Sequence, residues 1–129
     1  MAFARIDSRP IRIRTEVYEP NHVVVLDPTL LEAVNVTAGL KKGGIIVVNA
    51  KEAPEELKAE KVATVDATGI ALEFLGAPIT NTAMLAAFAR ATKLVSLNSV
   101  VKAIEGYFGG KLAEKNVAAV KAAYERTSI

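Results

Sequence analysis

Three apolar runs in this chain each end on a small polar residue. Val23 to Leu26 is followed by Asp27, Ile45 to Val48 by Asn49, and Val62 to Val65 by Asp66. In an open α/β sheet the carboxyl ends of the strands line the crevice where ligands bind, so this row is the strongest site signal in the sequence. The same residues have a second use. Asp27 followed by Pro28 suits a helix N-cap with proline at the first helical position, and Asp66 with Thr68 suits the cap of a helix running to Leu75. Capping and ligand contact both stay open for all three.

Other reactive groups are scarce. The single histidine, His22, lies in the turn-rich segment Glu19-Pro20-Asn21-His22, as a solvated residue or a lone base, and it supports neither a multi-histidine metal site nor a serine-histidine triad. With no cysteine at all, the chain has no disulfide, no thiolate nucleophile and no sulfur ligand for zinc or an iron-sulfur cluster. Any cluster must therefore sit on another chain. Sixteen basic and fourteen acidic residues leave a formal charge of +2, too balanced to imply nucleic acid or an anionic membrane. Aromatic residues at 5% give no stacking platform for bases.

The elements that must position these residues follow from patterning. Residues 1–129 suit a single domain. No apolar stretch approaches the roughly 20 residues that cross a bilayer, and no secretion signal opens the chain, so a cytoplasmic location is expected. Continuous valine and isoleucine without alternation is what strands covered on both faces require. The predicted fold is α/β: a three-layer α/β/α sandwich with a mainly parallel sheet, an N-terminal β-hairpin and a helical C-terminal half. Thr29 to Val34 and Pro54 to Ala59 suit the crossovers, and Gly43-Gly44 turns the chain back into the sheet.

The hairpin is expected from Ala2 to Ile6 and Ile11 to Val17, around Asp7-Ser8-Arg9-Pro10. Ile11 and Ile13 alternate with Arg12 and Arg14, giving one apolar and one basic face. Those arginines suit pairing with nearby carboxylates, or a bound phosphate or partner chain. In the second half Gly76-Ala77-Pro78 stops one helix, and Asn81 offers a cap for an alanine-rich helix from Thr82 to Ala91. Helical spacing continues through Leu97, Val100, Val101, Ile104 and Phe108, then Leu112, Ala119, Val120 and Ala123.

A nucleotide-binding domain of this class usually opens with a strand, a glycine-rich turn and a helix whose amino end holds phosphates. No such turn occurs here. Gly43-Gly44 follows Lys41-Lys42 and leads into a strand, and Gly109-Gly110 separates two helices. A hairpin ahead of the first parallel strand looks like the middle of a domain.

Four segments carry a family resemblance: Arg9-Pro-Ile-Arg-Ile-Arg14, Pro20 through Val-Val-Val-Leu-Asp-Pro28, Val65-Asp-Ala-Thr-Gly-Ile-Ala71, and Gly76-Ala-Pro-Ile-Thr-Asn-Thr-Ala-Met-Leu85. In order and spacing the chain resembles, from about Ala2 to Tyr124, the gamma subunit of 2-oxoacid:ferredoxin oxidoreductases, nearest to the archaeal pyruvate and 2-ketoisovalerate enzymes. Members usually begin with a strand and a Gly-Arg-Gly-Gly-Gln-Gly turn, which is not present here. The resemblance therefore implies a gamma domain shortened at its amino-terminal side, as a fragment or a naturally short form. Ala86 stands where the family commonly has glycine.

The resemblance implies a multi-subunit enzyme that converts pyruvate or a branched-chain 2-oxoacid and coenzyme A to acyl-CoA and carbon dioxide, reducing ferredoxin. It places thiamine diphosphate and Mg on alpha and beta subunits and 4Fe-4S clusters on a delta subunit, with none held by this chain alone. The expected role is to help close the active site on the coenzyme A side, with no catalytic residue and no metal ligand here. Asn49, Asp66, Thr68, Gly69, Asn81 and Thr82 are the residues expected nearest that crevice. Gly69 would allow close backbone approach, and Asn81 and Thr82 would meet an anionic group at a helix amino end. The alternative is a non-catalytic interaction or regulatory domain that kept the fold and lost its ligand loop.

Overall fold

The computed structural model describes residues 1–129. Its centre is a three-stranded parallel sheet in the order β1 (His22–Val25), β2 (Ile45–Asn49), β3 (Lys61–Val65). His22 lies opposite Ile45 and Ile45 opposite Lys61, so the three apolar runs align in register. Strand periodicity then splits β2 between two environments. Val47 joins the large core under the helices, whereas Ile46 and Val48 point to the other face.

Four helices form one layer: α1 (Ala67–Leu75), α2 (Asn81–Thr92), α3 (Leu97–Tyr107) and α4 (Gly110–Arg126). α1 ends at Gly76, whose φ of 72° is the left-handed geometry that glycine adopts without a Cβ clash. α2 is the alanine-rich element, and Ala83, Met84, Ala86, Ala87 and Ala89 are all buried in it. Its small side chains let it lie close to both the sheet and α4. α4 buries Ala119, Val120 and Ala123 toward the same core, with its lysines and glutamates on the exposed side.

The opposite face is covered thinly. A 3-10 turn at Pro28–Glu32 and the loops on either side of β2 bring Leu31, Val36, Leu40 and Leu57 over Val25, Ile46 and Val48. The crossover from β1 thus contains a single 3-10 turn, and the segment from Pro54 to Ala59 forms no helix. Both crossovers lie on this face, since both supply its covering side chains.

The N-terminal β-hairpin does not form as a paired ladder. Residues 1–21 contain no strand, and no backbone–backbone hydrogen bond involves residues 1–19. The segment does double back, because the Arg5 guanidinium donates to the carbonyls of Thr15 (3.2 Å) and Glu16 (3.3 Å), and the Arg9 amide donates to Asp7 Oδ1. Its alternation signals a strand that needs a neighbour, and an isolated two-stranded hairpin is marginal in water without a surface to pack on. Two further shifts are local. His22 opens β1 rather than sitting in a loop, and α2 begins one residue early, with Thr80 as its cap and Asn81 as its first helical residue.

Candidate functional site

The sheet alternation that sends Val47 under the helices sends Asn49 there too, directly beneath the amino end of α1. Asn49 is 6% exposed and uses its whole amide. Its Oδ1 accepts from the backbone amides of Ala67 (2.9 Å) and Thr68 (3.3 Å). Its Nδ2 donates to the Leu26 carbonyl (3.0 Å) and to Thr68 Oγ1 (2.9 Å). One side chain therefore ties the end of β1, the end of β2 and the start of α1 together.

Asp66 completes the arrangement as the N-cap of α1, accepting from the Gly69 amide at 3.0 Å. The next amide, from Ile70, reaches the Asp66 carbonyl. All four leading amides of α1 are thus satisfied from within the chain, which leaves that helix end no spare donor for a phosphate. Gly69 has a local reason as well: a Cβ there would collide with the Asp66 carboxylate. Capping has used the groups that the row of polar residues offers.

Asn49, Asp66, Thr68 and Gly69 are therefore brought together, and Asn81 and Thr82 share no hydrogen bond with them. Thr82 is buried and its hydroxyl donates to Asn116 Oδ1 at 3.0 Å, while Asn116 Nδ2 donates to the Leu112 carbonyl. This polar link joins α2 to α4 inside the core. Exposed Asn81 accepts the Thr82 amide on its own side chain. Asp27 is the cap of the 3-10 turn, and the Thr29 hydroxyl and then the Thr29 amide hold its carboxyl below the usual carboxylate range.

Asp66 and Gly69 also border an open groove of about 470 Å³ along the outer side of β3 and α1. The sequence does not single out its other polar walls, Lys51, Glu73, Arg126 and Ser128. Arg126 donates to Glu73 at 2.8 Å across 53 positions of sequence, and Ser128 pairs with Thr64 through two backbone hydrogen bonds of 2.8 Å. No local pattern encodes either. The Arg126–Glu73 pair is half exposed, so it orients the groove wall more than it stabilises the fold. The groove thus offers one free cation, Lys51, beside a carboxylate, Asp66, engaged in capping.

His22 is the remaining candidate. Its Nδ1 accepts the Ile45 amide at 3.2 Å and its ring meets Phe88 edge-on, with centroids 6.1 Å apart. Partial burial, and then the charge of Lys61, lower its pKa. It stands at the amino end of β1, opposite the strand ends that carry Asn49 and Asp66, so it acts as a strand-start cap and not as a base in their crevice. No group of three or more histidine, cysteine, aspartate or glutamate side chains is placed to hold a metal ion.

The sequence profile described as pyruvate ferredoxin/flavodoxin oxidoreductase matches residues 1–126. The chain belongs to this family. It is 56% identical over 134 aligned positions to the pyruvate/ketoisovalerate oxidoreductases common subunit gamma of Pyrococcus furiosus, covering 99% of this chain and 72% of that one. It is 54% identical to the pyruvate synthase subunit PorC of Methanocaldococcus jannaschii, over 96% of this chain and 69% of the relative. The crystal structure of the pyruvate oxidoreductase subunit PORC from Thermotoga maritima superposes with a TM-score of 0.77 at 35% identity, over 87% of this chain and 66% of that chain. The gamma-subunit resemblance and the α/β fold both stand, this chain is a gamma-type component of an oxidoreductase, and a purely non-catalytic regulatory domain is not favoured.

Proposed function

We propose that this chain serves, in the cytoplasm, as the gamma component of a 2-oxoacid:ferredoxin oxidoreductase that joins pyruvate or a branched-chain 2-oxoacid to coenzyme A with loss of carbon dioxide. The observation that carries this reading is the match over residues 1–126 together with relatives named as gamma and PorC subunits at more than half identity. Alpha, beta and delta subunits are the proposed partners, and ferredoxin is the proposed acceptor of the complex.

The residues present do not fit the cofactors of that chemistry. A cluster needs thiolates that the chain lacks, and at the amino end of α1, beside the strand ends, the donors a diphosphate needs are already committed to Asn49 and Asp66. Thiamine diphosphate, Mg and 4Fe-4S clusters accordingly belong, in this proposal, to partner subunits. This chain's own part is positional. Asn49, Asp66, Thr68 and Gly69 fix the strand ends and α1 on the coenzyme A side of the crevice, and Asn81 with Thr82 sets the start of α2.

Reconstitution tests this directly. Purified alpha, beta and delta subunits from the same host should show coenzyme A-dependent oxidation of 2-oxoacid with reduction of ferredoxin only when this chain is added. Full turnover in its absence would overturn the assignment of a functional role and return the chain to the non-catalytic class.

A further inference from the structure

Where α4 ends, the chain touches two other elements in quick succession. Arg126, the last residue of α4, donates to Glu73 on α1 at 2.8 Å and lays its guanidinium over the Phe74 ring, 5.8 Å from the centroid. Thr127 then turns the backbone. It is 6% exposed, and its amide at 3.0 Å and its hydroxyl at 2.6 Å both donate to the Ala123 carbonyl. Ser128 follows and lies against Thr64 of β3, each amide donating to the other's carbonyl at 2.8 Å.

Thr64 and Glu73 stand on the two limbs of one corner. β3 runs from Thr64 through Val65 to Asp66, the cap of α1, and Glu73 lies about two helical turns beyond that cap. Arg126–Ser128 joins the limbs from outside. The elements thereby close into a ring, and Thr64, Asp66, Gly69, Glu73, Arg126 and Ser128 all border the same groove. Neither anchor of the ring is strong alone, since the ion pair is half open to water and a short bridge at a sheet rim frays readily. Joined by the buried Thr127 turn, each anchor holds the other at high effective concentration, so loss of either loosens both.

We propose that Arg126–Ser128 works as one clasp that fixes the angle between β3 and α1 at Asp66, with Arg126 acting through Glu73 and Ser128 acting through Thr64 as positioning residues for the neighbouring crevice. The inference rests on the gamma reading above, which sets that crevice on the coenzyme A side.

The test uses the complex reconstituted from this chain and its alpha, beta and delta partners, with Arg126→Ala, Ser128→Pro, the two combined, and Arg126→Lys. Thr127 has φ −67° and ψ 123°, the extended geometry of a residue before proline, so Ser128→Pro removes one bridge hydrogen bond without straining Thr127. Arg126→Ala and Ser128→Pro should each raise the KM for coenzyme A about threefold, the scale of one partly exposed ion pair, at nearly constant kcat. The combined variant should stay near about threefold, whereas independent contacts would multiply to about ninefold. Arg126→Lys keeps the charge and should restore most of the parent value. A merely structural loss would reduce the amount of assembled complex, and so the turnover, at unchanged KM. The Gly69 amide, held by the Asp66 cap, should exchange faster to the same extent in all the cut variants.

Unchanged KM in the single variants, or multiplied effects in the combined one, overturns the clasp, while dependence of turnover on the parent chain leaves the gamma assignment standing. Should Ser128→Pro not fold, Thr127→Val takes its place by removing the hydroxyl tie to Ala123, and the same comparison decides. Turnover that needs no form of this chain overturns both.

Discussion

The two faces of the sheet bury the same kind of residue under very different roofs. On one, Val47 lies in a core of fifteen buried residues spanning β2, β3 and all four helices. On the other, Val48 lies with only Val25 and Ile46 beneath a 3-10 turn and loops. Both valines are fully buried, at 0% exposure. Burial alone therefore does not describe their roles: a helical roof is held by its own hydrogen bonds and cannot sink into a cavity, whereas a loop can.

Several substitutions would sharpen or break that contrast. The largest effect should come from the polar tie on the helical side, Asn49→Ala. It strands the Ala67 and Thr68 amides and the Leu26 carbonyl, and chemical denaturation should show a loss of about 3 kcal/mol. Val47→Ala should cost about 2 kcal/mol and Val48→Ala about 1 kcal/mol in the same assay, because the loop roof relaxes toward the smaller side chain. Equal losses for the two valines would show that the roofs are equally rigid. Gly69→Ala should cost about 1 kcal/mol by displacing the Asp66 cap, seen as faster amide exchange in the first turn of α1.

The smallest effect concerns pH. His22 has a folded pKa below its unfolded value of about 6.5, so the unfolded chain takes up its proton first as the pH falls. Its neutral ring accepts the Ile45 amide, and that contribution is full above the unfolded pKa and declines as acidification proceeds toward the folded pKa. A thermal midpoint that falls slightly over this window in the parent chain, and does not in His22→Gln, would confirm the sign.

What the sequence makes legible divides along the same lines. The strands are readable because Val23, Ile45 and Val62 open continuous apolar runs, and α1 because Asp66 and Gly76 mark both ends locally. The candidate polar residues at the end of β2, after β3 and at the start of α1 are also readable as a row. Their partners are not, since Asn49 reaches Leu26 and Thr68 across 23 and 19 positions, and Thr82 reaches Asn116 across 34. No window-length pattern encodes such pairings. Residues 1–16 show the opposite case: Ile11 and Ile13 carry a clear strand signal, yet alternation reports what a segment can pair with and not whether a neighbour is at hand.

One small feature bears on how the sheet can grow. The Thr64–Ser128 bridge occupies the outer rim of β3, whereas β1 has β2 as its sole neighbour. The C-terminal tail thereby holds one point of the β3 rim, and a strand recruited to that edge would first have to displace Ser128 from Thr64.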